Sequence, residues 1–352
     1  MHKNLKEINN RIDKYVNYFL RDNNYEAHIE RLNHFKSFTK ILIDNIPFVD
    51  DVSYKNRVSK EECINYAYEF LESISPKYGL YLFKKLDNNQ IEFVTLNEAY
   101  HKNLPLCSYY ENGFIYIVLT NDISDTYDII HELMHDTNNI EDLDNPNFNP
   151  ETRDYFTETI SFLATTIAQD FFAKKYPNNK EFKYDINSDY YGLYKRVAGI
   201  DYVLQLIDAY LINNNINQND IELIEKDKSP FYINSAEEYI DEALNYEAVY
   251  DEDSFDLLFN EGYLLAGLLT NYILNTYPEY EDRVKVLKDL NELIMVKDYK
   301  AIFNYLDLDV YELDDWFINL TDDSLAKLEK SFKEESKKIF FTLFIYIVMI
   351  IN

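Results

Sequence analysis

Residues that make tight turns are too scarce in this chain for a fold of many short strands. Six glycines and eight prolines serve 352 residues, whereas closely spaced β-connections draw on glycine or proline wherever other residues would be strained. The chain is therefore expected to be mainly helical. With 47% of its residues hydrophobic, among them 33 Tyr and 23 Phe, it has the material for a full-sized core.

Its 34 Lys plus Arg against 63 Asp plus Glu give a formal charge of −29. Such a field repels a phosphate backbone, because affinity for nucleic acid rests on cationic neutralisation. Nucleic acid is excluded as an expected partner. The two cysteines, Cys63 and Cys107, lack the CxxC spacing of thiolate metal sites and redox motifs. The N-terminal MHKNLKEINNRIDKY is polar and has no apolar core of a secretory signal, so a cytoplasmic location is expected. The apolar run Ile339 to Ile351, IFFTLFIYIVMII, is shorter than the roughly 20 residues a spanning helix needs. It is read as a buried terminal helix or strand, with membrane contact through 339–351 as the alternative.

Helical spacing runs from Asn4 to about Ile46 (Ile12, Val16, Phe19, then Leu32, Phe35, Phe38, Ile41). Ser59 with Glu61 and Glu62 opens a further helix, which Pro76 and Gly79 are expected to close. From Gly79 to Thr120 the apolar residues fall in short β-branched and aromatic runs, LYLF, IEFVTL and FIYIVLT. Asn112-Gly113 before FIYIVLT is a hairpin signal, because the favoured two-residue turn needs positive φ. These runs predict a small antiparallel β-sheet in which FIYIVLT offers substrate a free edge. After Asp122 the helical period returns, with Ser124 or Asp125 as N-cap. No repeat or Gly/Ser linker divides the chain. Residues 1–78 read as an N-terminal helical segment and 79–352 as the catalytic domain, together one compact unit.

His131-Glu132-Leu133-Met134-His135 follows the HExxH pattern. On a helix, residues i and i+4 share a face, so both imidazoles can reach one cation while Glu132 flanks it as general base. Chance produces this pattern in about one chain in a hundred of such composition. Zinc held by two histidines needs a third protein ligand and one open position. No histidine follows His135, so a downstream carboxylate must serve. Glu158, in the apolar run YFTETISFLA, is the best candidate, because a carboxylate there is costly without a cation. Glu151 and Asp154 sit in the polar lead-in beside Pro150 and rank lower. His28, His34 and His101 lack partners at metal spacing and read as structural or solvated.

From Gly79 to Tyr176 these residues resemble the thimet oligopeptidase and oligoendopeptidase F group of zinc peptidases. The matching pieces are IEFVTL, KNLPLCS, FIYIVLTN, DTYDIIHELMH and FTETIS. The resemblance implies a zincin-like catalytic domain, one Zn²⁺ per chain and Glu158 as third ligand, 23 residues after His135. A second stretch, Ser254 to Tyr272, is similar to the family's C-terminal segment, whose His and Tyr side chains hold the tetrahedral intermediate. By that likeness Tyr263 is the oxyanion donor, with Tyr250 and Tyr272 behind it, and Asp256 stands where the family has a histidine. The chain also departs from the family at Met134, where glycine is usual, and in its short N-terminal part.

The expected function is hydrolysis of oligopeptides by a zinc metallopeptidase. Two alternatives stand beside it: a regulatory HExxH protease with a single protein target, and a catalytically silent helical binding protein that keeps the zinc site.

Overall fold

A computed structural model describes residues 5–19, 25–45, 56–111, 113–136, 155–179, 181–182, 199, 201–226, 257–295, 298–314 and 317–333. In chain order its elements are α1 (Leu5–Phe19), α2 (Tyr25–Asn45), α3 (Lys60–Ile74), α4 (Pro76–Asp87), β1 (Ile91–Thr95), α5 (Leu96–Lys102), β2 (Tyr109–Glu111), β3 (Phe114–Leu119), α6 (Ser124–His135) and α7 (Tyr155–Lys175). Then come α8 (201–213), α9 (Gln218–Lys226), α10 (Leu257–Thr276), α11 (Tyr280–Met295), α12 (Tyr299–Tyr305), β4 (Val310–Asp314), β5 (Phe317–Leu320) and α13 (322–333). The described residues are mainly helical, as the shortage of turn-formers predicts. None of these helices is long and apolar enough to cross a membrane. The apolar run 339–351 lies outside the described residues.

The chain divides into two units, and the division does not fall at residue 79. One comprises 1–48, 190–268 and 310–352; the other comprises 49–189 and 269–309. In the first, Asn9 on α1 clamps the backbone of Ile216 with both ends of its amide, at 2.8 and 2.7 Å. Tyr210 on α8 hydrogen-bonds Asp13, and Lys36 on α2 pairs with Asp208 at 2.6 Å. The β4–β5 ribbon is antiparallel.

The second unit carries the HExxH helix. Ser59 and Glu62 form a reciprocal capping box that starts α3. α3 ends at Ile74, just before Pro76, but a second helix begins there and runs through Gly79. Pro76 stands in the first turn of α4, where its missing N–H is no loss, and the Ser75 side chain caps that turn at Lys77. LYLF is thus helical, contrary to the strand reading, and residue 79 lies inside α4. A run of four apolar residues carries no period of its own, and a proline that stops one helix can open the next.

The sheet is mixed rather than antiparallel. Its order is β1-β3-β2, with β1 parallel and β2 antiparallel to β3. From β1 the chain crosses through α5 to the outer edge and returns into the centre between Glu111 and Phe114. There Gly113 has φ 84°, the positive value the hairpin signal requires, while Asn112 lies outside the described residues. Because β3 is paired on both sides, it has no free edge for substrate. A buried central strand explains its unbroken apolar run, Ile115 to Leu119. Beneath the sheet α6 packs on α3, α7 and β3, and α11 packs on α7. Phe70, Ile129, Ile130, Leu133, Leu163, Ile167 and Phe172 form the core between these helices, all with essentially no exposure.

Candidate metal centre

The turn from β3 into α6 is held by two carboxylates. Asp125 is fully buried and accepts hydrogen bonds from the backbone N–H of Thr120 and Asn121 and from the Thr120 hydroxyl, at 2.8–3.0 Å. Burial nonetheless raises its pKa, and these bonds hold it back. Asp122 accepts from the N–H and the hydroxyl of Ser124, at 2.9 and 2.6 Å. Neither Ser124 nor Asp125 is the N-cap: Ile123 occupies that position without a side-chain bond, and Asp122 satisfies the first helical N–H instead. With Asn121 in the left-handed region at φ 64°, the helix leaves the strand in one fixed direction.

That direction brings His131 and His135, one turn apart, against α7. Their Nε2 atoms are 3.2 Å apart. Glu158 meets both from the first turn of α7, Oε2 at 3.4 Å from His131 Nε2 and Oε1 at 3.6 Å from His135 Nε2. The three donor atoms lie within 4.8 Å of one another, and they form the group of His, Cys, Asp or Glu that could hold a metal ion among the described residues. Four donors set tetrahedrally about 2.0–2.1 Å from an ion stand about 3.3–3.4 Å from each other, close to the 3.2 Å between the two imidazole nitrogens, and each nitrogen faces a different Glu158 oxygen. The side chains retain 21%, 12% and 15% exposure in the order His131, His135, Glu158.

Burial of the His131 ring disfavours its cation, but the hydrogen bond it donates to Glu158 and the charges of Glu132, Glu158 and Asp128 outweigh this and lift it to about 9. Three carboxylates thus place negative charge around the His131 ring. Glu132 is 7% exposed, buried on the same helix. Phe162 meets the His131 ring edge-on at 5.6 Å. Ser161, one turn after Glu158, donates its hydroxyl to the His131 carbonyl at 3.0 Å, so FTETIS both presents the carboxylate and hooks α7 to α6.

The sequence reading missed the polar residues around these ligands. Ser108 receives the Val118 N–H at 3.1 Å and donates to Asp128 at 3.0 Å, tying the sheet to α6 one turn before His131. Burial raises Asp128 to about 6. Asp136, directly after the second motif histidine, is 0% exposed and accepts from the hydroxyls of Tyr81 and Tyr110, each at 2.7 Å. Lys85, itself 3% exposed, pairs with the same carboxylate and also donates to Gly113 O at 2.6 Å. Burial and the Asp136 charge push the Tyr81 hydroxyl far up, so it stays a donor. The one sequence signal was a carboxylate adjoining the motif, which is uninformative without its partners.

Of the remaining predicted residues, Tyr263 is half-buried on α10 in the other unit, while Tyr272 on that helix belongs to the unit of the centre. Tyr250, Glu151, Asp154 and Asp256 lie outside the described residues. His34 is buried against Phe38 and His101 is exposed beside Tyr100. Comparison of the chain with protein-family models, curated proteins and solved structures returns no match.

Proposed function

We propose that the chain is a zinc metallopeptidase that hydrolyses peptide bonds of oligopeptides. The observation that carries this reading is the convergence of His131, His135 and Glu158 at separations of 3.2–3.6 Å. Two imidazoles and one carboxylate are the donor set of catalytic zinc sites that leave a fourth position open, whereas structural sites are closed by four protein ligands and are rich in cysteine. The zincin-like reading draws support from the order of parts: sheet, HExxH helix, then a helix bearing glutamate.

Zinc held there supplies a Lewis acid that polarises a peptide carbonyl and makes water a nucleophile near neutral pH. Glu132 takes the proton from that water and delivers it to the leaving amine. His131, His135 and Glu158 hold the ion.

Elemental analysis and cleavage of a mixed quenched-peptide library, run on wild type, Glu132→Gln and Glu158→Ala, test the whole reading. One zinc per chain, lost in Glu158→Ala, with zinc kept but cleavage abolished in Glu132→Gln, is expected. Zinc retained in Glu158→Ala would overturn the ligand assignment. Zinc without cleavage of any peptide would favour the silent binding protein, and cleavage of one protein alone the regulatory protease.

A further inference from the structure

His135 is the last residue of α6. Helix ends leave carbonyls without intrahelical partners and fray, which is a poor place for a ligand whose donor atom must be held to a fraction of an ångström. The very next residue, Asp136, carries a buried carboxylate gripped by three side chains from two elements. Tyr81 and Lys85 reach it from α4 and Tyr110 from β2, and Lys85 ties the same point to the β2–β3 turn at Gly113. The Tyr110 ring also lies over the His135 imidazole, centroids 6.3 Å apart and planes 27° from parallel. A Cβ at Gly113 would meet the Lys85 ammonium at an ordinary 3.8 Å, so the positive φ, and not space, is what calls for glycine there.

Stability alone does not account for the cluster. A buried ion pair is expensive to desolvate, and well-packed apolar residues often replace one without loss. Direction is what it supplies: three donors of fixed geometry converge on one carboxylate and allow a single placement of the helix end.

We propose that Asp136, Tyr110, Tyr81 and Lys85 form a positioning unit that holds His135 in place for metal binding and thereby sets the metal affinity of the centre. The inference rests on the reading of His135 as a metal ligand. None of the four residues needs to touch the ion. They act as outer partners do in metal sites, where such changes cost roughly 10- to 100-fold in affinity.

The test is titration of the metal-free full chain with Zn²⁺ against a chromogenic chelator, together with the visible spectrum of the Co²⁺-loaded protein. Y110F keeps the ring and loses one bond to Asp136; D136N removes the charge. Y305F is the control, because it deletes the same type of bond, Tyr305 to Asp289 at 2.7 Å, between α12 and α11 of the same unit. Y110F is expected to weaken Zn²⁺ binding roughly tenfold and D136N up to roughly a hundredfold, each with an altered Co²⁺ spectrum, while Y305F binds as wild type does. Should D136N not fold, Y110F carries the test. Wild-type affinity and spectrum in Y110F, with only the melting temperature lowered, would overturn the positioning role. A wild-type chain that binds no Zn²⁺ would overturn the metal reading itself, an outcome visible before any variant is compared.

Discussion

At the residue scale the second unit separates reactive from inert groups by burial. Cys63 is fully buried on α3 and its thiol donates to the Asp122 carbonyl at 3.4 Å; burial pushes it up to about 12, so it holds almost no thiolate at neutral pH. Cys107 is exposed. One thiol per native chain is expected to react with a disulfide reagent at pH 8, and a second only after denaturation; two fast thiols would contradict the burial of Cys63. Asp128 is a second case. Its folded value of about 6 stands above the ordinary 3.8, so the fold holds a proton that the unfolded chain releases. The stability tied to that proton is complete below 3.8 and is lost as pH rises to about 6. Asp128→Asn should remove this loss. Melting curves of the metal-free protein are expected to show the variant gaining on wild type between pH 4 and 6, and a constant difference across that range would refute it. Glu158 was legible in the sequence because a carboxylate in an apolar run demands a cation. Asp136 was not, since one acidic residue after a motif looks like any other of the 63.

At the scale of elements, each helix bearing a site residue is fixed by polar contacts outside its own hydrogen-bond ladder. α6 leaves β3 through Asp122 and Asp125, and α7 is pinned to it by Ser161. α3, on which α6 packs, begins at the Ser59–Glu62 box. Ser59→Ala should cost about 1 kcal/mol, read as a lower urea midpoint with an unchanged slope; no shift would show the cap to be redundant. The hairpin was legible because a two-residue turn with positive φ has few sequences that satisfy it. The direction of β1 was not. Parallel and antiparallel neighbours of a buried strand carry the same apolar residues, and only the crossover through α5 decides between them.

At the scale of the whole molecule, the chain carries the candidate centre in the unit formed by 49–189 and 269–309. A ligand that binds only the folded form stabilises it by mass action, about 2.7 kcal/mol when free ligand is a hundred times Kd. Zn²⁺ is therefore expected to slow amide hydrogen exchange in α6 and α7 and to leave α1 and α2 unchanged. Slowing spread evenly over both units would count against a single centre. The sequence by itself determined the helical character, the two imidazoles on one helix face, the carboxylate that answers them and the Gly113 turn. All of these depend on local rules: a 3.6-residue period, an i to i+4 spacing, a positive φ, a charge without water. The tertiary structure alone decided that β3 lies between two strands, that LYLF is helical, and that Lys85, Tyr81 and Tyr110 meet at Asp136. Those outcomes depend on which distant segments share a core, and pairing across tens of residues leaves no periodic mark on either partner.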